Sequence, residues 1–203
     1  MGANKAFLEI NGERLIDKTV RLFRELFDEV ILVTNEPLAY SYLDVTIVSD
    51  VMKDKGALGG VYSGLFYASS SHAFVAACDM PFLNRSFIEH MLGNIAHYDV
   101  VVPENGGYME PLHSIYAKSC LPAIKDLLMR GELKILDLYK ELNVLVIPEK
   151  RIEKFDPDAK MFMNVNTKED LSRIRRPLLA GVVFCDTPGP EKQQSGFCQR
   201  RLR

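Results

Sequence analysis

The stretch Phe74-Val75-Ala76-Ala77-Cys78-Asp79-Met80-Pro81-Phe82-Leu83 decides the fold. Its first half is a short apolar run rich in small residues, the pattern of a strand buried on both faces in a helix-covered parallel sheet. The run stops at an acid, and a proline follows two residues later. Pro81 cannot continue a central strand, so the chain must turn there. Asp79 is thereby expected at the carboxyl end of a strand, where open α/β sheets bind their ligands. A carboxylate in that place suits Mg²⁺, which takes one or two carboxylates together with substrate phosphates. A plain cap of the following turn or helix would need the same residue type, so both readings stand on these residues alone.

Working outward, the same alternation recurs. On the amino-terminal side, residues 7–10 alternate weakly and turn at Asn11-Gly12. Ile16, Val20, Phe23 and Phe27 recur at helical spacing and predict an amphipathic helix over 13–27. Strands are expected at 29–34, ending at Asn35, and at 45–48, ending at Ser49-Asp50. A glycine-bearing loop is expected over 53–60 and a helix over 61–68. On the carboxyl side, the pattern predicts a helix over 85–95 and a strand over 99–102. A glycine-bearing loop over 104–109 and a strand over 112–116 follow. Helices are expected over 120–129 and 133–142, with a strand over 144–147. Residues 162–165 read as extended, handing over at Thr167, a fitting N-cap, to a helix at Lys168. Strands alternating with helices make an α/β fold: a mostly parallel sheet with helices on both faces.

Bulk properties narrow the function. The 203 residues suffice for one α/β domain, or one domain plus a tail. With 47% hydrophobic and 26% charged residues the chain has an ordinary globular composition. A net charge of -2 argues against a nucleic-acid partner, and no apolar run approaches a membrane span. Cys78, Cys120, Cys185 and Cys198 are scattered without a Cys-x-x-Cys, which fits reduced thiols and a cytoplasmic location. His72, His90, His97 and His113 show no zinc-site spacing. Beyond residue 176, the apolar run 178–184 could form a strand. Residues 186–203 are polar and turn-rich and are expected to be disordered.

Acids, amides and glycines fall just after the expected strands: Asn35, Asp50, Gly56, Gly59, Gly60 and Asp79. In a parallel sheet those ends share one edge, so the groups could converge on one ligand. Lys5 precedes the first helix and could reach the same edge. A lysine and a carboxylate-held Mg²⁺ are what a triphosphate calls for, a point charge on the phosphates and an ion bridging their oxygens. Loops favour Gly, Asn and Asp in any case, so each residue taken singly also has a structural reading. For His113 and Tyr116 the pattern favours a turn and a half-buried strand, and for Asn164 and Asn166 capping or turn roles suffice.

Five segments resemble one family, in its order and at similar spacing. They are Met1-Gly2-Ala3-Asn4-Lys5-Ala6, Gly56-Ala57-Leu58-Gly59-Gly60-Val61, Cys78-Asp79-Met80-Pro81-Phe82-Leu83, Glu110-Pro111-Leu112-His113-Ser114-Ile115-Tyr116 and Asn164-Val165-Asn166-Thr167-Lys168-Glu169-Asp170-Leu171. Over residues 1–175 the chain resembles the molybdenum cofactor guanylyltransferases. The resemblance implies a Rossmann-like nucleotidyltransferase that moves GMP from Mg·GTP to molybdenum-bound molybdopterin, with pyrophosphate released. It implies that Asp79 holds Mg²⁺ and that Lys5 neutralises phosphate oxygens. Asn35, Asp50 and Gly59 would line the nucleotide site, and Asn166 would be a second metal ligand. His113 and Asn164 would lie towards the molybdopterin. Partners would be GTP, molybdenum-molybdopterin, other molybdenum-pathway proteins and the acceptor molybdoenzymes. A cytidylyl or sugar-phosphate transferase and a non-catalytic remnant are the competing readings.

The chain departs from the family at its start. The family opens with an apolar strand, a Leu-Ala-Gly-Gly loop and then Arg-Met-Gly, whereas this sequence begins at the internal Met1-Gly2. The absent strand would be central. Its loss would leave backbone groups unpaired on two neighbours, at ~1–3 kcal/mol each against a total stability of ~5–15 kcal/mol. The favoured expectation is a start placed further upstream than the sequence given. The others are an impaired fragment, or the 178–184 run filling the vacant place. The tail could also open a further domain, although no Gly-Lys-Ser/Thr follows Phe184.

Overall fold

The computed structural model describes residues 5–10, 12–158, 160–163 and 182–186, with Lys5 and 182–186 described by their backbone. A 3-10 turn at Lys5–Phe7 leads into β1 (Glu9–Ile10) and β2 (Glu13–Arg14), a small antiparallel hairpin. Gly12 takes a φ of 81° in its turn, a conformation open to glycine without strain. Then come α1 (Leu15–Leu26), β3 (Val30–Val33), β4 (Thr46–Val48), α2 (Gly56–Tyr67) and β5 (His72–Ala77). The second half holds α3 (Arg85–Leu92), β6 (Val100–Asn105), β7 (Tyr108–Met109) and β8 (His113–Ala117). It continues with α4 (Leu121–Arg130), α5 (Ile135–Leu138), β9 (Val144–Ile147), α6 (Glu149–Ile152) and finally β10 (Val182–Asp186).

An eight-stranded sheet runs in the order β4-β3-β10-β5-β8-β6-β7, with β9 paired to β6. Among the described residues β3, β4, β5, β6 and β9 point one way and β7, β8 and β10 the other. The sheet is therefore mixed: five strands share a direction and three oppose it. Strand periodicity separates the core into two faces. Leu32, Phe74, Ala76, Val101 and Ile115 pack with α1 and α3 residues such as Ile16, Phe23, Phe87 and Met91. Ile31, Val33, Val75, Val100 and Tyr116 pack with Leu58, Leu65, Ile124 and Leu128 of α2 and α4.

Local sequence explains the element ends. Asn84 caps α3 by accepting from the Phe87 N–H at 3.0 Å, and its amide donates to the Phe155 carbonyl. Gly131, left-handed at φ 75°, closes α4. Several expectations shift. The helix expected over 133–142 is four residues long, Ile135–Leu138; Glu132, Leu133 and Lys134 before it are exposed, while Ile135 and Leu138 are buried in the core. Of the extended segment expected over 162–165, Phe162 instead ends a 3-10 turn, Lys160–Phe162, with Met161 and Phe162 buried, and 164–165 lie outside the described residues. No helix of the described residues is long and apolar enough to cross a membrane.

The largest departure is central. β10 lies antiparallel between β3 and β5, so those two strands do not touch each other across the sheet. A central place in the sheet is thus held by residues 182–186. The strand is offset from the expected 178–184, and residues 178–181 and 187–203 lie outside the described residues.

Candidate functional site at the carboxyl edge of the sheet

The strand directions place one set of ends on a common edge. The carboxyl ends of β3, β4, β5, β6 and β9 lie there, together with the amino ends of β8 and β10. Asn35 follows β3, Asp50 follows β4, and Asp79 follows β5 by two residues. The Thr34 N–H donates to the Val48 carbonyl at 2.9 Å, carrying the β3–β4 ladder to the rim. One residue later the Asn35 amide donates to Asp50 Oδ2 at 2.8 Å. The structure thus joins two of the residues expected to face the nucleotide.

Ser63, on α2, ties that pair to the scaffold. Its Oγ accepts from the Val51 N–H at 2.9 Å, donates to the Gly59 carbonyl at 2.7 Å and lies 3.4 Å from Asp50 Oδ1. Sequence reasoning missed Ser63, since a serine within a helical run carries no signal of its distant partners. Gly59 is placed otherwise than expected. The loop expected over 53–60 is helical from Gly56 onward, and Gly59 is a buried helical residue. A Cβ on Gly59 would stand 2.7 Å from Lys55 Cβ and 3.4 Å from the Met52 carbonyl oxygen. The glycine is explained by this close packing against the chain entering α2.

Asp79 is 2% exposed and sits in the turn closed by Met80 N–H donating to the Ala77 carbonyl. Its neighbour Cys78 is fully buried, and burial first, then the Asp79 charge, push that thiol well above its ordinary value. A cavity of about 210 Å³ opens between Met80, Pro81 and Leu83 and the α1 residues Lys18, Thr19 and Leu22. The Lys5 backbone belongs to the turn whose Phe7 stacks on Tyr40 at 5.1 Å, and Tyr40 ends the short helix that follows Asn35. Asn164 and Asn166 lie outside the described residues.

The Glu110–Tyr116 segment is held by its own side chains. Ser114 Oγ donates to the Glu110 carbonyl at 2.7 Å, and the Tyr116 hydroxyl donates to the Pro111 carbonyl at 2.8 Å. Tyr116 and Tyr139 share a further hydroxyl contact at 2.7 Å. Burial raises the Glu110 carboxyl to about 7, opposed by a hydrogen bond from Asn105. His113, expected to touch substrate, is 0% exposed inside a wall of Phe74, Phe87 and Phe162. Among the described residues neither ring nitrogen has a hydrogen-bond partner, and burial lowers the imidazole to about 3. In this structure His113 supports the edge from within; the ring is closed to a ligand. The alternation could not reveal this, because the aromatic wall comes from three separate segments.

Residues 1–144 match the model of the MobA-like NTP transferase domain. The chain belongs to that family. It is 38% identical to the molybdenum cofactor guanylyltransferase of Desulfosudis oleivorans over 90% of this chain and 91% of the relative. It is also 38% identical to the probable molybdenum cofactor guanylyltransferase of Peptoclostridium acidaminophilum, over 84% of this chain and 80% of that one. Among solved structures it is similar to molybdopterin-guanine dinucleotide biosynthesis protein A of Archaeoglobus fulgidus. There the TM-score is 0.72 at 28% identity, over 85% of this chain and 91% of the other. A likeness in fold alone extends to the 2-C-methyl-D-erythritol 4-phosphate cytidylyltransferase of Thermus thermophilus, TM-score 0.60 at 17% identity, over 84% and 92% of the two chains. For this MobA-like chain, the nucleotidyltransferase fold expected from the motifs is the fold observed, and the α/β layering is the same.

Proposed function

We propose that this protein transfers GMP from Mg·GTP to the terminal phosphate of molybdenum-bound molybdopterin. The observation that carries this reading is a buried aspartate at the carboxyl end of β5 in a chain 38% identical to named guanylyltransferases over nearly its whole length. In the reaction a cofactor phosphate oxygen attacks the α-phosphorus of GTP. The new P–O bond forms as the bond to the bridging oxygen breaks, and pyrophosphate leaves with that electron pair. No side chain needs to act as a nucleophile; positioning and charge stabilisation suffice.

The residues present fit a magnesium ion. Asp79 offers a single carboxylate, and no cluster of three or more His, Cys, Asp or Glu side chains exists among the described residues. That donor set suits Mg²⁺, which completes its shell with phosphates and water, better than it suits a metal needing an all-protein cage. When bound, the ion would neutralise charge on the phosphate oxygens. Asp79 would hold it, with Asn166 as a second ligand in this reading. Lys5 would bind phosphate oxygens. The Asn35–Asp50 bond fixes an acceptor-rich pair suited to the N–H groups of a purine base. Gly59 would act by letting α2 approach the edge, and Asn164 would face the pterin. Other proteins of the molybdenum pathway and acceptor molybdoenzymes would be the partners.

Turnover with Mg²⁺, molybdenum-molybdopterin and each of GTP, CTP and UTP tests the reading. A guanine dinucleotide product and pyrophosphate from GTP alone are expected. Activity with CTP or UTP alone overturns it in favour of a related transferase. Absence of Mg·GTP binding in a titration would leave a non-catalytic member of the family.

A further inference from the structure

The candidate site is divided between two parts of the sheet. Asn35 and Asp50 sit at the ends of β3 and β4, and Asp79 follows β5. Among the described strands only β10 is hydrogen-bonded to both parts. Its register pairs Val182 with Val33 on one side and Ala77 on the other. Val183 stands between Leu32 and Ala76, Phe184 between Ile31 and Val75, and Cys185 between Val30 and Phe74. The pairing on the β3 side covers the whole of that strand, from Val30 to Val33. Without an occupant, the facing backbone groups of β3 and β5 would have no ladder partner. With one, the two strands stand two strand spacings apart, roughly 9–10 Å.

We propose that β10 is a spacer strand that assembles the site: it fills the central slot from the chain's own tail and sets the distance between the Asn35–Asp50 pair and Asp79. The slot takes an extended apolar segment running antiparallel to its neighbours, and the occupant is residues 182–186 of the same chain. Val182, at the rim, makes the last paired rung beside Val33 and Ala77, directly below the site. β10 therefore acts as a positioning element and need not touch substrate. The consequence for nucleotide binding rests on the function proposed above; the consequence for the sheet does not.

The full-length chain offers two tests. Cys185 lies directly opposite Val30. A Val30→Cys variant, made with Cys198→Ser to remove a competing thiol, should form a disulfide with Cys185 on mild oxidation, within one chain. Directly opposed strand residues fall in the range of Cα separations that a disulfide spans. Val33→Cys in the same background is three residues away and should give at least about tenfold less of it. Failure of Val30→Cys to crosslink, equal crosslinking by Val33→Cys, or a link only between chains overturns the assignment.

Val183→Pro removes a ladder donor from the middle of β10. Hydrogen exchange at the amides of Ile31, Val33, Phe74 and Ala76, whose N–H groups face β10, should quicken at least about tenfold, with β6 and β9 amides less affected. The KM for Mg·GTP should rise by a similar factor. Unchanged exchange overturns the spacer role. Altered exchange with unchanged KM shows that the strand closes the sheet without positioning the site. A wild-type chain without GTP turnover would refute the nucleotide reading alone, because the disulfide and exchange results do not depend on it.

Discussion

Among the described residues the two ring nitrogens of His113 have no hydrogen-bond partner, and the ring lies inside a wall of three phenylalanines that disfavours its protonated form. Its imidazole is held to about 3, against about 6.5 in the unfolded chain. The unfolded state therefore binds the proton first as pH falls. Stability from this group is complete above about 6.5 and declines through the window down to about 3, by up to roughly 1.4 kcal/mol per pH unit. Glu110 acts in the opposite sense. Raised to about 7 from 4.5, it favours the folded state at low pH and loses that contribution between about 4.5 and 7. The two slopes oppose each other above about pH 4.5. His113→Phe, which leaves no polar atom unpaired, should match or exceed wild-type stability at pH 7; in urea unfolding these two groups should hold the wild type nearly level between about pH 6.5 and 4.5 and lower it below that, whereas the variant should gain stability from Glu110 down to about pH 4.5 and not lose it below. Asp79→Asn keeps the shape and removes the charge. It should lower turnover at least about hundredfold in steady-state assays if the carboxylate holds the ion. The position of Asp79 was readable, since an acid and a proline ending an apolar run have one place to go. The enclosure of His113 was not readable, because Phe74, Phe87 and Phe162 are far apart in sequence.

Helix α2 shows how a short-range pattern misleads. Gly56, Gly59 and Gly60 read as part of a glycine-bearing loop over 53–60, yet Gly59 and Gly60 lie inside the helix and are buried. Glycine lowers helix propensity, and here tertiary packing outweighs that. Gly59→Ala would gain about 1 kcal/mol of propensity, but the 2.7 Å approach to Lys55 Cβ forces the backbone apart at a cost of ~1–3 kcal/mol. A lowered thermal midpoint is the expected net result, read by circular dichroism. On the other face of the argument, β8 orders the segment before it through Tyr116, whose hydroxyl meets both Pro111 and Tyr139. Tyr116→Phe should destabilise by ~1–3 kcal/mol in denaturant unfolding, because it leaves the part-buried Pro111 carbonyl and Tyr139 hydroxyl short of a partner. The strand itself was legible from His113 to Tyr116; the clamp was not, since Tyr139 belongs to a different element.

Across the molecule, Cys78 and Cys120 lie on opposite faces of the sheet, both fully buried. Burial raises the Cys78 thiol well above its usual value and pushes Cys120 up to about 12. Neither should react with a thiol reagent until the sheet opens, so their labelling rates, followed by mass spectrometry, should agree with each other and with global unfolding. Unequal rates would show that one face opens before the other. The sequence by itself determined the α/β layering, the strand-end placement of Asn35, Asp50 and Asp79, and the family, because each depends on short-range periodicity, on turn chemistry, or on motifs in fixed order. Only the tertiary structure decided which strand stands at the centre of the sheet. A backbone ladder is closed by any apolar extended segment of suitable length, and nothing local to residues 182–186 states that their partners lie some 150 and 110 residues earlier, at Val30–Val33 and Ala73–Ala77.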